Sequence, residues 1–172
     1  MAQESRSAFF YGTLMAPQVL HRVCHGSSSG DNPIYRQHAF KSNPAILHNH
    51  RRHRVKSADY PAIVPKEGAS VRGTYVTGLT DADIWRLDIF EGDEYERVVV
   101  KPKILTKVGD EGGEGNVEGD EVEAETYVWS SKSSRLEEGE WDFGVCGCIT
   151  SFARDAANMC SFSARRSSRE RR

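Results

Sequence analysis

The chain has 172 residues, with 23 Lys and Arg against 25 Asp and Glu and a formal net charge of −2. That length suits one domain, or one domain with tails. No run approaches the ~18 apolar residues of a membrane span, and the near-neutral charge excludes a globally basic nucleic-acid binder. The opening Met1–Ser7 leads into no long apolar stretch, so no secretory signal is expected. The cysteines, Cys24, Cys146, Cys148 and Cys160, are then read as reduced thiols in the cytoplasm. Cys146-x-Cys148 has no second Cys or His pair at a zinc-like spacing, so no metal is expected there.

In chain order, Ala8-Phe9-Phe10-Tyr11 is a short apolar run stopped by Gly12, which predicts a buried strand entering a turn. Pro17 can open a helix as its first residue, with Val19, Leu20 and Val23 on the apolar side. Ala45–Leu47 and Ala62–Val64, each flanked by Pro, are strand candidates, and Val71–Thr77 is a third. Thr80 before Asp81 and Asp83 has the form of a helix N-cap with acids in the first turn. That helix runs through Ile84, Trp85, Leu87 and Phe90 and is ended by Gly92. Tyr95–Leu105 is the longest β-like stretch, with Pro102 marking an edge or bulge. Glu123–Trp129 alternates and predicts another strand, and Glu140–Phe143 predicts a short helix or turn.

Charge is uneven along this pattern. Residues 48–56 hold Arg51, Arg52, Arg54 and Lys56 with His48, His50 and His53, and are expected as an exposed loop rather than a metal site. The three histidines lack the spacing of a helical two-histidine motif and have no nearby carboxylate. Residues 109–125 hold eight acids and no base. With five glycines in the same stretch, residues 109–121 are expected as an acidic, largely flexible loop inserted in the domain. Residues 161–172 carry five Arg against one Glu and read as a disordered, dispensable tail. The expected layout is a flexible N-terminus at 1–7, one domain over 8–160, and that tail. Strands and short helices without regular βαβ alternation predict an α+β fold, a small mixed barrel or sheet flanked by helices.

Three features could carry chemistry. The turn Phe10-Tyr11-Gly12-Thr13-Leu14 can expose consecutive N–H groups to a carboxylate or a developing oxyanion. An ordinary strand-to-helix turn would have the same residues. Between Leu87 and Arg97 several carboxylates crowd the passage from helix to strand. Most must be solvated, because burying an unpaired carboxylate is very costly. Glu91 differs: it follows Phe90 and precedes the helix-ending Gly92. It can therefore sit at the rim of an apolar pocket, where burial would raise its pKa toward that of a general base. Finally, Tyr127 with Trp129, and Tyr60, could line a polar pocket, or could simply be half-buried sheet residues.

The combination is more informative than its parts. The early Tyr11-Gly-Thr-Leu14 turn, Gly73–Thr80, Leu87-Asp-Ile-Phe-Glu-Gly-Asp-Glu-Tyr-Glu-Arg97, Tyr127-Val-Trp129 and Gly139–Phe143 resemble the γ-glutamylcyclotransferase-like family. Within it they are most similar to the avirulence-induced-gene-two-like proteins of plants and fungi. The resemblance spans about residues 8–143 and implies a small β-barrel flanked by helices. By matching position it implies that Tyr11, Gly12, Thr13, Leu14, Met15 and Ala16 hold the amino-acid end of a γ-glutamyl group, largely through backbone, with Tyr127 lining the pocket. Glu91 would be the catalytic general base. The partner would be a small γ-glutamyl substrate, with no cofactor, no metal and no membrane. The chain departs from the family after Phe143, where Gly144-Val-Cys-Gly-Cys148 stands in place of a mixed acidic and apolar helix.

The leading functional expectation is a γ-glutamylcyclotransferase releasing 5-oxoproline and an amine or amino acid. The alternative is a non-catalytic binding protein on the same fold. Nucleic-acid binding through 48–56 and the Arg tail is the weakest reading, because only Tyr60 offers an aromatic near the first patch. Oligomeric state is not legible.

Overall fold

The computed structural model describes residues 5–26, 33, 38–58 and 60–139. The chain divides into two units, Met1–Trp141 and Asp142–Arg172. The second unit lies outside the described residues, as do the expected helix or turn at 140–143, the Cys146 and Cys148 pair and the Arg tail.

Strand β1 (Arg6–Phe10) is central and starts earlier than its apolar run. Arg6 explains the extension: its guanidinium donates to Glu125 at 2.6–3.2 Å and to Asp81 at 2.6 Å. β1 pairs antiparallel with β3 and parallel with β7, so it is covered on both edges. It is also covered on both faces. Ala8 and Phe10 join one cluster with Leu14, Leu20, Val76, Leu79, Ile84 and Leu87, which seats the two helices. Phe9 and Tyr11 join a second cluster with Ala45, Leu47, Ile63, Val71, Val100 and Ala124. Burial on both faces is why this strand reads as a continuous apolar run rather than an alternating one.

The described sheet has seven strands in the order β4-β7-β1-β3-β2-β5-β6. Its second cluster draws side chains from β1, β2, β3, β4 and β7, a barrel-like interior. Hydrogen bonding does not close it, and β4 and β6 remain edges. The fold is therefore α+β, a mixed sheet with helices α1 (Pro17–His25) and α2 (Asp81–Glu91).

Several expectations change in detail. The three short strand candidates are parts of two long ones, β2 (Lys41–Arg54) and β3 (Pro61–Leu79). Their ladder is interrupted once, between His48 and His50, and Pro65 stands beside that interruption, opposite His50. At the interruption Asn49 takes φ 58° and Gly68 φ 77°, and the Gly68 N–H donates to Asn49 Oδ1 at 3.3 Å. Residues 48–54 are thus strand rather than loop. Ala62 and Ile63 on β3 supply the burial that the His and Arg residues lack. The stretch Tyr95–Leu105 is two strands, β4 (Tyr95–Val100) and β5 (Lys103–Lys107), with four other strands between them in the sheet order. Buried Pro102 lies in the crossover, with no ladder bond to lose. The acidic stretch is a loop only to Asn116, after which β6 (Val117–Glu121) pairs with β5. Lys103 and His48 neutralise Glu118 there, at 3.0 and 2.8 Å. In β7 (Ala124–Trp129) the alternation fails because Thr126 is fully buried, its hydroxyl donating to the Phe9 carbonyl at 2.8 Å. On α2, Trp85 and Ile89 face outward.

Candidate active site

Two chain turns meet at the site. The first follows β1. Gly12 begins a 3₁₀ turn over Thr13–Met15, and Pro17 then opens α1 with Ala16 as N-cap. The N–H groups of Met15 and Ala16 close this turn on the carbonyls of Gly12 and Thr13, at 3.0 and 3.1 Å. None of the turn and loop hydrogen bonds among the described residues uses the N–H of Gly12, Thr13 or Leu14. Two contacts fix the loop from below. Arg52 donates to the Tyr11 carbonyl at 2.9 Å, and a Cβ at Gly12 would stand 2.7 Å from Pro61 Cγ. Only glycine lets β3 approach the turn so closely.

The second turn ends α2. Thr80 and Asp83 form a reciprocal capping box at its start, an arrangement worth about 1–2 kcal/mol. At its end Gly92 takes φ 72° and ψ −165°, a conformation closed to most L-residues. Its N–H donates to the Asp88 carbonyl. This abrupt exit leaves Glu91 as the last helical residue and sends the chain into β4.

Glu91 is half-buried, and no described residue gives its carboxyl a hydrogen bond or ion pair. Burial alone pushes that carboxyl up to about 8. Around it stand Tyr11, Tyr95 and Tyr127. Each is raised from the ordinary phenol range by burial first and then by negative charge, that of Glu91 included. The phenols do not neutralise Glu91, because each donates elsewhere: Tyr11 to the Tyr127 carbonyl at 2.6 Å, Tyr95 to the Pro61 carbonyl at 3.0 Å, and Tyr127 to Asp88 Oδ1 at 2.8 Å.

The neighbouring acids are all accounted for. Asp88 also accepts from Arg97 at 2.9 Å, and Arg97 pairs in addition with Glu125. Glu94, expected in solvent, pairs instead with Arg135 and accepts from the Tyr60 hydroxyl at 3.4 Å. The 3₁₀ turn at Ser133–Arg135 brings Arg135 to it, which nothing near Glu94 in the sequence foretells. Glu96 is exposed.

The candidate residues thus divide. Tyr11, Tyr127 and Glu91 come within electrostatic reach of one another. Gly12, Thr13 and Leu14 border them with backbone, while the Leu14 side chain enters the helix-side core. Met15 faces a separate cavity of about 310 Å³ with Pro17, Leu20, His21 and Phe40, and Glu91 does not line it. The sequence does not single out Tyr95, Asp88 or Arg52. Tyr95 stands in the family motif, but only its hydroxyl bond to Pro61 reveals a role in shaping the pocket.

Comparison with known proteins bears on this arrangement. The profile described as gamma-glutamyl cyclotransferase, AIG2-like matches residues 8–143. The chain belongs to that family. Protein AIG2 C of Arabidopsis thaliana is 30% identical over 140 residues, covering 81% of this chain and 71% of its own. A solution structure from Arabidopsis thaliana superposes with TM-score 0.57 at 28% identity, over 94% of this chain and 85% of that one. A structure titled gamma-glutamyl cyclotransferase superposes with TM-score 0.52 at 17% identity, over 78% and 69%, and shares the fold.

Proposed function

We propose that the protein is a γ-glutamylcyclotransferase with Glu91 as general base. The observation that carries this reading is a carboxyl with no partner among the described residues, raised to about 8 by burial, beside a turn whose N–H groups at Gly12, Thr13 and Leu14 no described residue takes up. A γ-glutamyl compound bound there would set its α-ammonium against Glu91. Glu91 takes one proton, and the amine nitrogen attacks the substrate's own γ-carbonyl carbon. The carbonyl oxygen becomes an oxyanion that N–H groups of the Gly12–Leu14 turn can stabilise. In the adduct the attacking nitrogen passes its second surplus proton to the leaving nitrogen, Glu91 returns the first, and collapse expels the leaving group as an ammonium. The products are 5-oxoproline and a free amine or amino acid. Every bond is made and broken heterolytically within one substrate, so the protein need only fold it, deprotonate it and hold the oxyanion.

The family match and the fold likeness support the reaction class. Among the described residues no helix is long and apolar enough to cross a membrane. The same reading places the protein in the cytoplasm, where buried Cys24 would remain a thiol. The test is incubation with a panel of γ-glutamyl amino acids, peptides and amines, reading 5-oxoproline. Release from at least one member, lost in Glu91→Gln, supports the proposal. No release from any member assigns the pocket to binding without catalysis.

A further inference from the structure

Three elements outside the candidate active site converge on a second polar cluster. His25 ends α1, His38 leads toward β2, and Asp83 lies in the first turn of α2. His25 Nε2 is 3.1 Å from His38 Nδ1 and 3.8 Å from Asp83 Oδ1, and His38 Nδ1 is 3.6 Å from Asp83 Oδ2. The side chains of His25 and Asp83 are 4% and 2% exposed. Ligands on a tetrahedral zinc, with bonds of about 2.0–2.2 Å, stand about 3.3–3.5 Å apart. The His25–His38 separation lies close to that value, and one ligand atom from each of the three residues lies within 4.8 Å of the other two. We propose that His25, His38 and Asp83 form a binding site for one zinc-class divalent ion.

The surroundings orient the donors as a metal requires. A backbone carbonyl can only accept, so the contact of His38 Nε2 with Gly78 O puts the ring proton on Nε2. The lone pair on His38 Nδ1 then points at His25 Nε2. Without an ion, only a proton on His25 Nε2 relieves that contact. With an ion, His25 carries its proton on Nδ1 instead, where His21 Nδ1 lies 3.1 Å away and can accept it. Thr80 holds the carboxylate, donating to Asp83 Oδ2 from its N–H at 2.9 Å and its hydroxyl at 2.8 Å. Oδ1 has no hydrogen bond to a described residue and faces His25. Such partners behind the ligands are what fix tautomer and ring direction in metal sites. Arg86 NH1, 3.9 Å from Asp83 Oδ1, is the opposing charge. Its side chain is 46% exposed and can swing away.

The site takes ligands from positions 13 and 45 residues apart, so no short motif marks it. It would tie α1 and the approach to β2 onto α2. The test titrates the full-length, chelator-stripped protein with Zn²⁺ by calorimetry and with Co²⁺ by visible absorption. Expected are one equivalent bound, intense tetrahedral Co²⁺ bands, and a zinc-dependent rise in Tm. His38→Gln should weaken zinc binding at least about tenfold, whereas His48→Gln should leave it unchanged. No saturable binding up to about 0.1 mM Zn²⁺ would overturn the proposal. So would one-equivalent binding that survives His38→Gln. If that variant does not fold, imidazole nitrogen spectra of the wild-type chain decide the matter. Zinc must shift His25 Nε2 and His38 Nδ1, and unmoved resonances refute the site.

Discussion

Replacing Glu91 by glutamine should do two opposite things, and the pair of effects separates a positioned base from a merely structural acid. Activity should fall by about 10²–10⁴ in kcat, because the amide keeps the shape and cannot take the proton. Stability should rise, and rise with pH. The carboxyl titrates near 8 in the folded chain against 4.5 ordinarily. Below pH 4.5 it is protonated in both states and costs nothing. Between about 4.5 and about 8 the unfolded chain ionises first and binds fewer protons, so wild-type stability declines. Above about 8 the penalty is constant. The interval from 4.5 to about 8 corresponds to a ceiling of about 5 kcal/mol, at about 1.36 kcal/mol per pH unit. Glu91 is only half-buried, and water reaching the carboxyl brings the expected gain to about 2–3 kcal/mol. The assays are 5-oxoproline release and thermal melts of both proteins from pH 4 to 9. The Tm difference should be near zero at the acid end and grow to about 5–10 °C at the alkaline end. Near-normal turnover would refute the mechanism. A pH-independent Tm difference would refute the buried, unpaired state of the carboxyl.

Wild-type kcat/KM should increase with pH along an acidic limb set by the free enzyme's Glu91, which must be ionised to accept a proton, and a flat profile between pH 6 and 8 would contradict this. Gly12→Ala should lower kcat/KM by tenfold or more, since its Cβ would force the turn from Pro61, at a stability cost of about 1–3 kcal/mol by melting. Tyr127→Phe removes one partly buried hydrogen bond to Asp88 at 2.8 Å and should cost about 0.5–1.5 kcal/mol in denaturant unfolding. Glu94→Gln and Glu96→Gln should each keep most activity in the same 5-oxoproline assay. Glu94→Gln should also lose up to about 1 kcal/mol in unfolding experiments, because its partner Arg135 lies near the surface.

The features legible in the sequence are those encoded locally. Thr80, Asp83 and Gly92 delimit α2 because caps are made by neighbours in the chain, and Pro17 opens α1 for the same reason. The family motif carries the turn and Glu91. Long-range pairing is not legible. Nothing near His48–Arg54 announces that Pro61–Pro65 will cover it, so its charge pattern predicts a loop where the chain forms a strand. Tyr95–Leu105 looks continuous because both its strands are β-formers, and only the sheet order shows that β7, β1, β3 and β2 lie between them. The grouping of His25, His38 and Asp83 is invisible in the sequence because it depends on how α1 and α2 lie beside each other.

The distribution of partners around Glu91 argues for selection of one acid from many. Asp88, Glu94 and Glu125 each receive an arginine, and Glu96 is exposed. Asp88 and Glu94 also take a tyrosine hydroxyl. The oxygens of Asp88, Glu94 and Glu125 are committed to these partners. Glu91 has the reverse environment. Tyr11, Tyr95 and Tyr127 stand within electrostatic reach of it while directing their protons at Tyr127 O, Pro61 O and Asp88. Low polarity without compensation raises its proton affinity toward that of an amine. A proton can then pass between substrate nitrogen and carboxyl at little cost. The commitment of these three phenols elsewhere is thus the argument for proposing Glu91, and not its neighbours, as the base.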